Sequence, residues 1–280
     1  MRADGANPRW RLISATAEGP SHTSLNQPNQ DRQLIQQIGH NGTWVFAVAD
    51  GAGSRARSGD GATIAVEAAA AAAEQVFGHG VPTTAGDWLP AVRKFAEICL
   101  KTFDARVDAF VRAQARGTQA RRTGESPDGS RPSYATTLLA VVSAPPFFGY
   151  LNVGDCFLVV DRDPGGPHLV LTAPEREHAG ETVFMTSRRR DEHLTHGVVM
   201  DARIRGLALC TDGLCEGMLT VRQAANGRLH SLAPPEFSVY FDHFGAPGAD
   251  AGELTRKIES REFAETSGDD KTIVLAVRTS

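Results

Sequence analysis

Residues 43–54 read TWVFAVADGAGS. A short apolar run of seven residues, opened by Thr43 and rich in β-branched and aromatic side chains, stands between Asn41-Gly42 and Asp50-Gly51. A short apolar run closed on both sides by turn residues is the pattern of a buried strand, and this one ends on a carboxylate. Upstream, residues 10–17 read as a strand and 18–31 as a polar loop. Downstream, residues 61–77 are almost entirely Ala, Val, Ile and Glu, which predicts a core helix because alanine is the strongest helix former. A second helix is predicted over 89–115 after a loop at 78–87, and the Gly, Arg, Ser and Pro of 116–132 predict a flexible surface loop.

From residue 134 the pattern turns to strands, at 134–142, 147–153, 157–161 and 168–172, punctuated by Pro145-Pro146, Gly154-Asp155 and Gly165-Gly166. Such short spacing predicts an antiparallel meander. Residues 173–200 read as irregular, 207–211 as a strand, 214–225 and 249–263 as helices, and 271–277 as a final strand. Strands in a meander with a few long helices predict an α+β domain with helices packed on sheets. One domain is expected over 1–280, with its core at about 10–278.

Composition narrows the function. The chain has 280 residues, 41% hydrophobic and 22% charged, and a formal charge of −4. An acidic balance argues against a general nucleic-acid binder. No apolar run reaches membrane-spanning length, and the first residues lack a secretory signal, so a cytoplasmic protein without membrane partners is expected. The four cysteines form no close pair, which disfavours a disulfide framework or structural zinc. Cys156 and Cys210 read as buried core residues.

The carboxylates carry the chemical signal. Asp50 follows one strand, Asp155 lies at the turn after another, Asp212 follows a third, Asp269 and Asp270 precede the last, and Asp31 lies in the early loop. Any one of them reads as a turn residue. Together they fall where strand ends of a sheet share an edge, so they can converge. Converged carboxylates repel and need a cation, and hard oxygen donors select Mg²⁺ or Mn²⁺. A binuclear site of this kind activates water for displacement at phosphorus.

These residues also carry a family resemblance. Asn29-Gln30-Asp31, Val48-Ala49-Asp50-Gly51-Ala52-Gly53, Tyr134-Ala135-Thr136-Thr137, Val153-Gly154-Asp155-Cys156, Thr211-Asp212-Gly213-Leu214 and Asp269-Asp270-Lys271-Thr272 follow one another as in the type 2C (PPM) metal-dependent protein phosphatases. Gly19-Pro20-Ser21-His22 and the Asp-Asp pair, in place of the commoner Asp-Asn, resemble a compact bacterial branch. The resemblance implies a four-layer αββα sandwich: two antiparallel sheets face to face with helices outside. It implies Asp50 as bridging ligand of two ions, the Gly51 carbonyl as a further ligand, and Asp212 and Asp269 as direct ligands. Asp31 would act through metal-bound water, and Asp155 with Glu216 would serve a third, weaker ion. The implied reaction is hydrolysis of phosphoserine or phosphothreonine in proteins by a metal-bridging water, with a cognate bacterial kinase or its targets as partner.

Two departures stand out. The arginine that many members carry ahead of the first acidic motif is absent from Leu25-Asn26-Gln27-Pro28, leaving His22, Arg55 and Arg57 as candidate phosphate contacts. Ala52 stands where some members carry a histidine proposed as general acid, leaving His22 or bound water for that task. Arg188-Arg189-Arg190 reads as a solvated basic run, and Phe237, Tyr240, Phe241 and Phe244 as an aromatic cluster packed on the helix at 249–263. Two other readings stay open: a pseudophosphatase that binds phosphoproteins, and a hydrolase of a small phosphorylated molecule.

Overall fold

In the computed structural model the described residues are 9–40, 42–118, 130–171, 182–224, 227 and 229–279. In chain order the strands are β1 (Arg9–Ala17), β2 (Arg32–Ile38), β3 (Thr43–Ala49), β4 (Leu138–Ala144), β5 (Phe147–Val153), β6 (Phe157–Arg162), β7 (Gly166–Leu171), β8 (Thr195–Met200), β9 (Ile204–Cys210), β10 (Thr220–Gln223), β11 (Leu229–Leu232) and β12 (Lys271–Thr279). The helices are α1 (Pro20–Ser24), α2 (Ser58–Phe77), α3 (Ala85–Thr118), α4 (Arg190–His193), α5 (Cys215–Met218), α6 (Ser238–Gly245), α7 (Ala251–Ile258) and α8 (Arg261–Thr266).

Two five-stranded antiparallel sheets form the centre, ordered β1-β12-β9-β6-β7 and β2-β3-β4-β5-β8. Strand side chains alternate between faces, so each sheet has an inner and an outer set. Phe46, Val48, Leu139, Val141 and Phe148 of the second sheet meet Leu158, Val160, Leu207, Leu209 and Val274 of the first in a buried layer. Val45, Ala47, Ala140, Val142 and Leu151 face outward under α2 and α3. Phe157, Val159, Ala208, Ile273 and Leu275 face the opposite way, under α6, α7 and α8. The result is the expected αββα sandwich.

The two helical layers are built differently. The alanines of α2 put Ala62, Ala65, Ala68, Ala69, Ala72 and Ala73 out of solvent, letting the helix backbone lie close to the sheet and to α3. At its first turn the approach is closest: a Cβ on Gly61 would stand 2.2 Å from the Tyr134 carbonyl oxygen. The other layer consists of short helices held by Phe237, Phe241, Phe244, Leu254, Ile258 and Phe263. The aromatic cluster is therefore core, as read from sequence.

Several expectations need correction. The strands from 134 to 172 are not one meander: β4 and β5 lie in one sheet, β6 and β7 in the other. The Gly154-Asp155 turn carries the chain across, and hydrophobic periodicity says nothing of which sheet a strand joins. Residues 131–134 form a single 3-10 turn, so β4 starts only at Leu138. The expected helix at 214–225 stops at Met218 and gives way to the β10–β11 hairpin. The expected helix at 249–263 is two, broken at Glu259-Ser260. Two further strands, β2 and β8, border the second sheet; both mix polar and apolar residues without the continuous apolar run that marks β3. Helix α3 runs on to Thr118, and the rest of the expected 116–132 loop up to residue 129 lies outside the described residues.

Candidate metal centre

Three strand ends set the geometry. Asp50 follows β3, Asp212 follows β9, and Asp269 lies just ahead of β12. One carboxylate oxygen from each falls within 4.8 Å of the others, so all three can face a common ion or pair of ions. Asp31 precedes β2 and Asp155 sits in the β5–β6 turn; both are close enough to raise the proton affinity of the group.

Threonines fix the backbone beneath these acids. The Asp50 N–H donates to Thr137 Oγ1 at 2.9 Å, and its carbonyl accepts from the Thr137 N–H and Thr136 Oγ1, each at 2.8 Å. The Thr211 N–H donates to the Thr272 carbonyl at 3.1 Å, and the Thr272 N–H returns to Thr211 Oγ1 at 2.9 Å. Thr211 Oγ1 in turn donates to Asp31 Oδ2 at 2.8 Å. Thr182 Oγ1 donates to Asp155 Oδ2 at 2.7 Å. Two glycines allow the close approach of chains: a Cβ on Gly51 would stand 2.9 Å from the Gln30 carbonyl oxygen, and one on Gly213 would stand 2.0 Å from that of Asp270.

The electrostatics ask for positive charge. Burial, then the repulsion of Asp31, Asp212, Asp269 and Asp155, pushes Asp50 well above the usual carboxylate range. Burial likewise drives Asp31 up to about 7, against the hydrogen bond from Thr211. Asp212 rises to about 7 through burial and the charges of Asp155, Asp269 and Asp31. The outer oxygens Asp31 Oδ1, Asp155 Oδ1 and Asp212 Oδ1 are buried without a hydrogen-bond partner. An all-oxygen cluster with orphaned lone pairs and mutual repulsion fits hard divalent cations.

Lys271, which sequence reading did not single out as a site residue, is the one buried side-chain ammonium among the described residues. Its Nζ donates to the carbonyls of Ser267 and Asp269, each at 2.8 Å, which staples the turn that presents Asp269. The signal was a lysine opening an otherwise apolar strand, KTIVLAV.

The remaining candidates fall around this cluster. Glu216 lies exposed in α5, one turn beyond Asp212. Arg55 and Arg57 line a cleft of about 530 Å³ between residues 27–32 and 53–60. Arg57 Nη1 pairs with Asp60 at 3.0 Å, whereas Arg55 is exposed and has no carboxylate within ion-pair distance among the described residues. His22 is only 5% exposed; its Nδ1 stands 2.8 Å from Asp270 Oδ2, and its Nε2 lies beneath Gly53. The basic run is not wholly solvated: Arg190 Nη1 donates to Asp104 Oδ1 at 2.7 Å and ties this segment to α3. Cys156 and Cys210 are buried, and burial pushes both thiols up, so neither is a nucleophile.

Comparison with known proteins gives the family and the fold. The protein phosphatase 2C family model matches residues 18–252. The chain is 29% identical over 277 residues to Serine/threonine-protein phosphatase 3 of Escherichia coli (strain K12), across 96% of this chain and 98% of that one. Among solved structures it resembles serine/threonine phosphatase Stp1 from Staphylococcus aureus, with TM-score 0.60 and 13% identity over 100% of this chain and 99% of that one. It also resembles the catalytic domain of the serine threonine protein phosphatase PstP in complex with two manganese ions, with TM-score 0.55 and 16% identity over 97% and 99% of the two chains. At these structural identities the likeness is one of fold.

Proposed function

The chain belongs to the protein phosphatase 2C family, and on that premise we propose that it is a metal-dependent Ser/Thr protein phosphatase built as one domain over residues 1–280. The observation that carries the reading is the convergence of Asp50, Asp212 and Asp269 within 4.8 Å at strand ends. In this reading Asp50 holds two ions, with the Gly51 carbonyl on one and Asp212 and Asp269 completing the set. Asp155 and Glu216 serve a third. Mn²⁺ or Mg²⁺ would supply a water of lowered pKa and offset the charge of the phosphoryl group. Asp31, locked by Thr211, orients solvent at the edge of the cluster.

The cleft beside Gly53 receives the phosphorylated side chain. Arg55 is an exposed cation there with no carboxylate within ion-pair distance among the described residues, so it can fork onto the phosphate. Arg57 is shared with Asp60 and contributes at longer range. Placing the phosphate next to the nucleophile converts an encounter into an oriented reaction. The substrate is a phosphoserine or phosphothreonine protein made by a bacterial kinase. No helix among the described residues is long and apolar enough to cross a membrane, in keeping with action in the cytoplasm.

The test is hydrolysis of p-nitrophenyl phosphate and a phosphothreonine peptide, with and without Mn²⁺, by wild type and Asp50→Ala. Metal-dependent turnover of both, lost in the variant, is the expected result. Turnover of the small ester alone would point to a small-molecule phosphatase. A folded protein that turns over neither would be a pseudophosphatase.

A further inference from the structure

We infer that Asp270 is a positioning residue: with His22 it clamps the segment 18–31 to the turn that carries Asp269 and sets the height of the Gly51–Gly53 loop over the metal centre. The inference rests on the metal-site reading above and adds to it the support behind its ligands.

Asp270 is 2% exposed, and both its oxygens are engaged. Oδ1 accepts from the Gly19 N–H at 2.8 Å and Oδ2 from the Gln30 N–H at 2.6 Å, so one carboxylate grips both ends of the segment. His22 Nδ1 stands 2.8 Å from the same Oδ2, an ion-pair contact outside hydrogen-bond geometry. The two chains are in contact along the way. The Ser21 N–H donates to the Gly268 carbonyl at 2.9 Å. A Cβ on Gly19 would stand 2.3 Å from the Asp269 carbonyl carbon, and one on Gly268 would stand 2.3 Å from Ser21 Oγ.

From Asp270 two routes reach the loop after Asp50. One runs through Gln30. With its amide nitrogen facing acceptors, the Gln30 side chain donates to the Gly51 carbonyl at 3.1 Å and the Ala52 carbonyl at 3.2 Å. The other runs through His22, whose Nε2 lies 3.1 Å from where a Cβ on Gly53 would stand. The Gly51 carbonyl is the backbone ligand of the proposed centre; the Gln30 route ends on it, and the His22 route ends two residues further along the same loop.

The carboxylate is needed for this arrangement. An asparagine at 270 has one acceptor oxygen and one amide that only donates. Whichever way it turned, the N–H of Gly19 or of Gln30 would face another donor, and an unpaired buried donor is costly. Residues that orient a metal ligand from behind change metal affinity or activity by about 10- to 100-fold when lost.

The experiment uses the full chain stripped of metal. Mn²⁺ binding is measured calorimetrically for wild type, Asp270→Asn, His22→Ala, His22→Asn and Asp270→Asn/His22→Ala, with circular dichroism to establish folding. Asp270→Asn is expected to bind Mn²⁺ about tenfold more weakly. The double variant is expected to bind no worse than Asp270→Asn, because His22 acts through Asp270. His22→Asn, whose amide nitrogen can take the place of Nδ1, should stay within about twofold of wild type while His22→Ala falls about tenfold, the low end of the range for such supports. Wild-type affinity in Asp270→Asn, or losses that multiply in the double variant, would overturn the inference. Should Asp270→Asn fail to fold, equal affinities of His22→Asn and His22→Ala would overturn it. A wild type that binds Mn²⁺ but hydrolyses no phosphoester would sink the catalytic reading and leave this test standing.

Discussion

The strands β3, β9 and β12 lead two lives. Along their length they bury Phe46, Leu209 and Val274 between the sheets, in a layer with no charge. At their ends they gather Asp50, Asp212 and Asp269 into a cluster whose charges repel. Local agreement of every residue with its surroundings is the rule in the first region and is broken in the second. Conflict of this kind is expected where a fold carries function, because the packed region overdetermines what the acidic region would otherwise relax. The acid rim is therefore stable only on loan from the sandwich beneath it, and metal should reverse that relation.

The sharpest way to break the comparison is Asp50→Asn. Turnover of p-nitrophenyl phosphate with Mn²⁺ should fall by about 10³-fold or more, a loss typical of removing a principal stabiliser of transition-state charge. The melting temperature in EDTA should rise, since one repelling charge is gone. A variant with both lowered activity and a lowered metal-free melting temperature would show that the rim is not strained. The complementary change in the dry layer, Phe46→Ala, should cost about 3–5 kcal/mol in urea unfolding, by lost burial and the cavity left behind. Its folded fraction should still bind Mn²⁺ with wild-type stoichiometry in a calorimetric titration.

Acidity offers a subtler probe. Asp31 and Asp212 are raised from 3.8 to about 7 in the folded chain. The folded state then holds more protons than the unfolded state between these values, so metal-free stability should fall as pH rises from about 4 to about 7. The stabilisation added by Mn²⁺ should grow over the same interval, because ligands must lose their protons to bind. Melts at stepped pH with EDTA or Mn²⁺ check both signs; parallel curves would refute them. The smallest effect belongs outside either region. Asp60→Ala, which unties exposed Arg57, should change urea-unfolding stability by no more than about 0.5 kcal/mol.

What could be read from sequence follows the same division. β3 and β5 match their sequence spans because apolar runs bounded by Gly, Pro and Asp leave little choice. The acids were visible because carboxylates at several strand ends form a pattern even when each alone is a turn residue. The strands β2, β8, β10 and β11 were not legible: they are short or mix polar and apolar residues without a clean alternation, so a strand and a loop look alike. The grouping of strands into two sheets is a long-range choice that no local run encodes. Nor could spacing show that Lys271 turns inward to cap carbonyls, or that Asp270 reaches across 240 positions to Gln30.

β12 runs between β1 and β9, next to the edge of its sheet, pairing Arg9 with Thr279 at one extreme of the register. It is the last strand in chain order, and Asp269 sits at its threshold. During synthesis, then, β1 waits for a neighbour that emerges some 260 codons later, and β9 has one flank open until the same moment. Pairings of such separation are slow to close. A ribosome-bound chain ending before residue 269 would lack both the strand that joins β1 to β9 and one of the three converging carboxylates. Activity is thereby withheld from every product that stops short of residue 269, without any inhibitor.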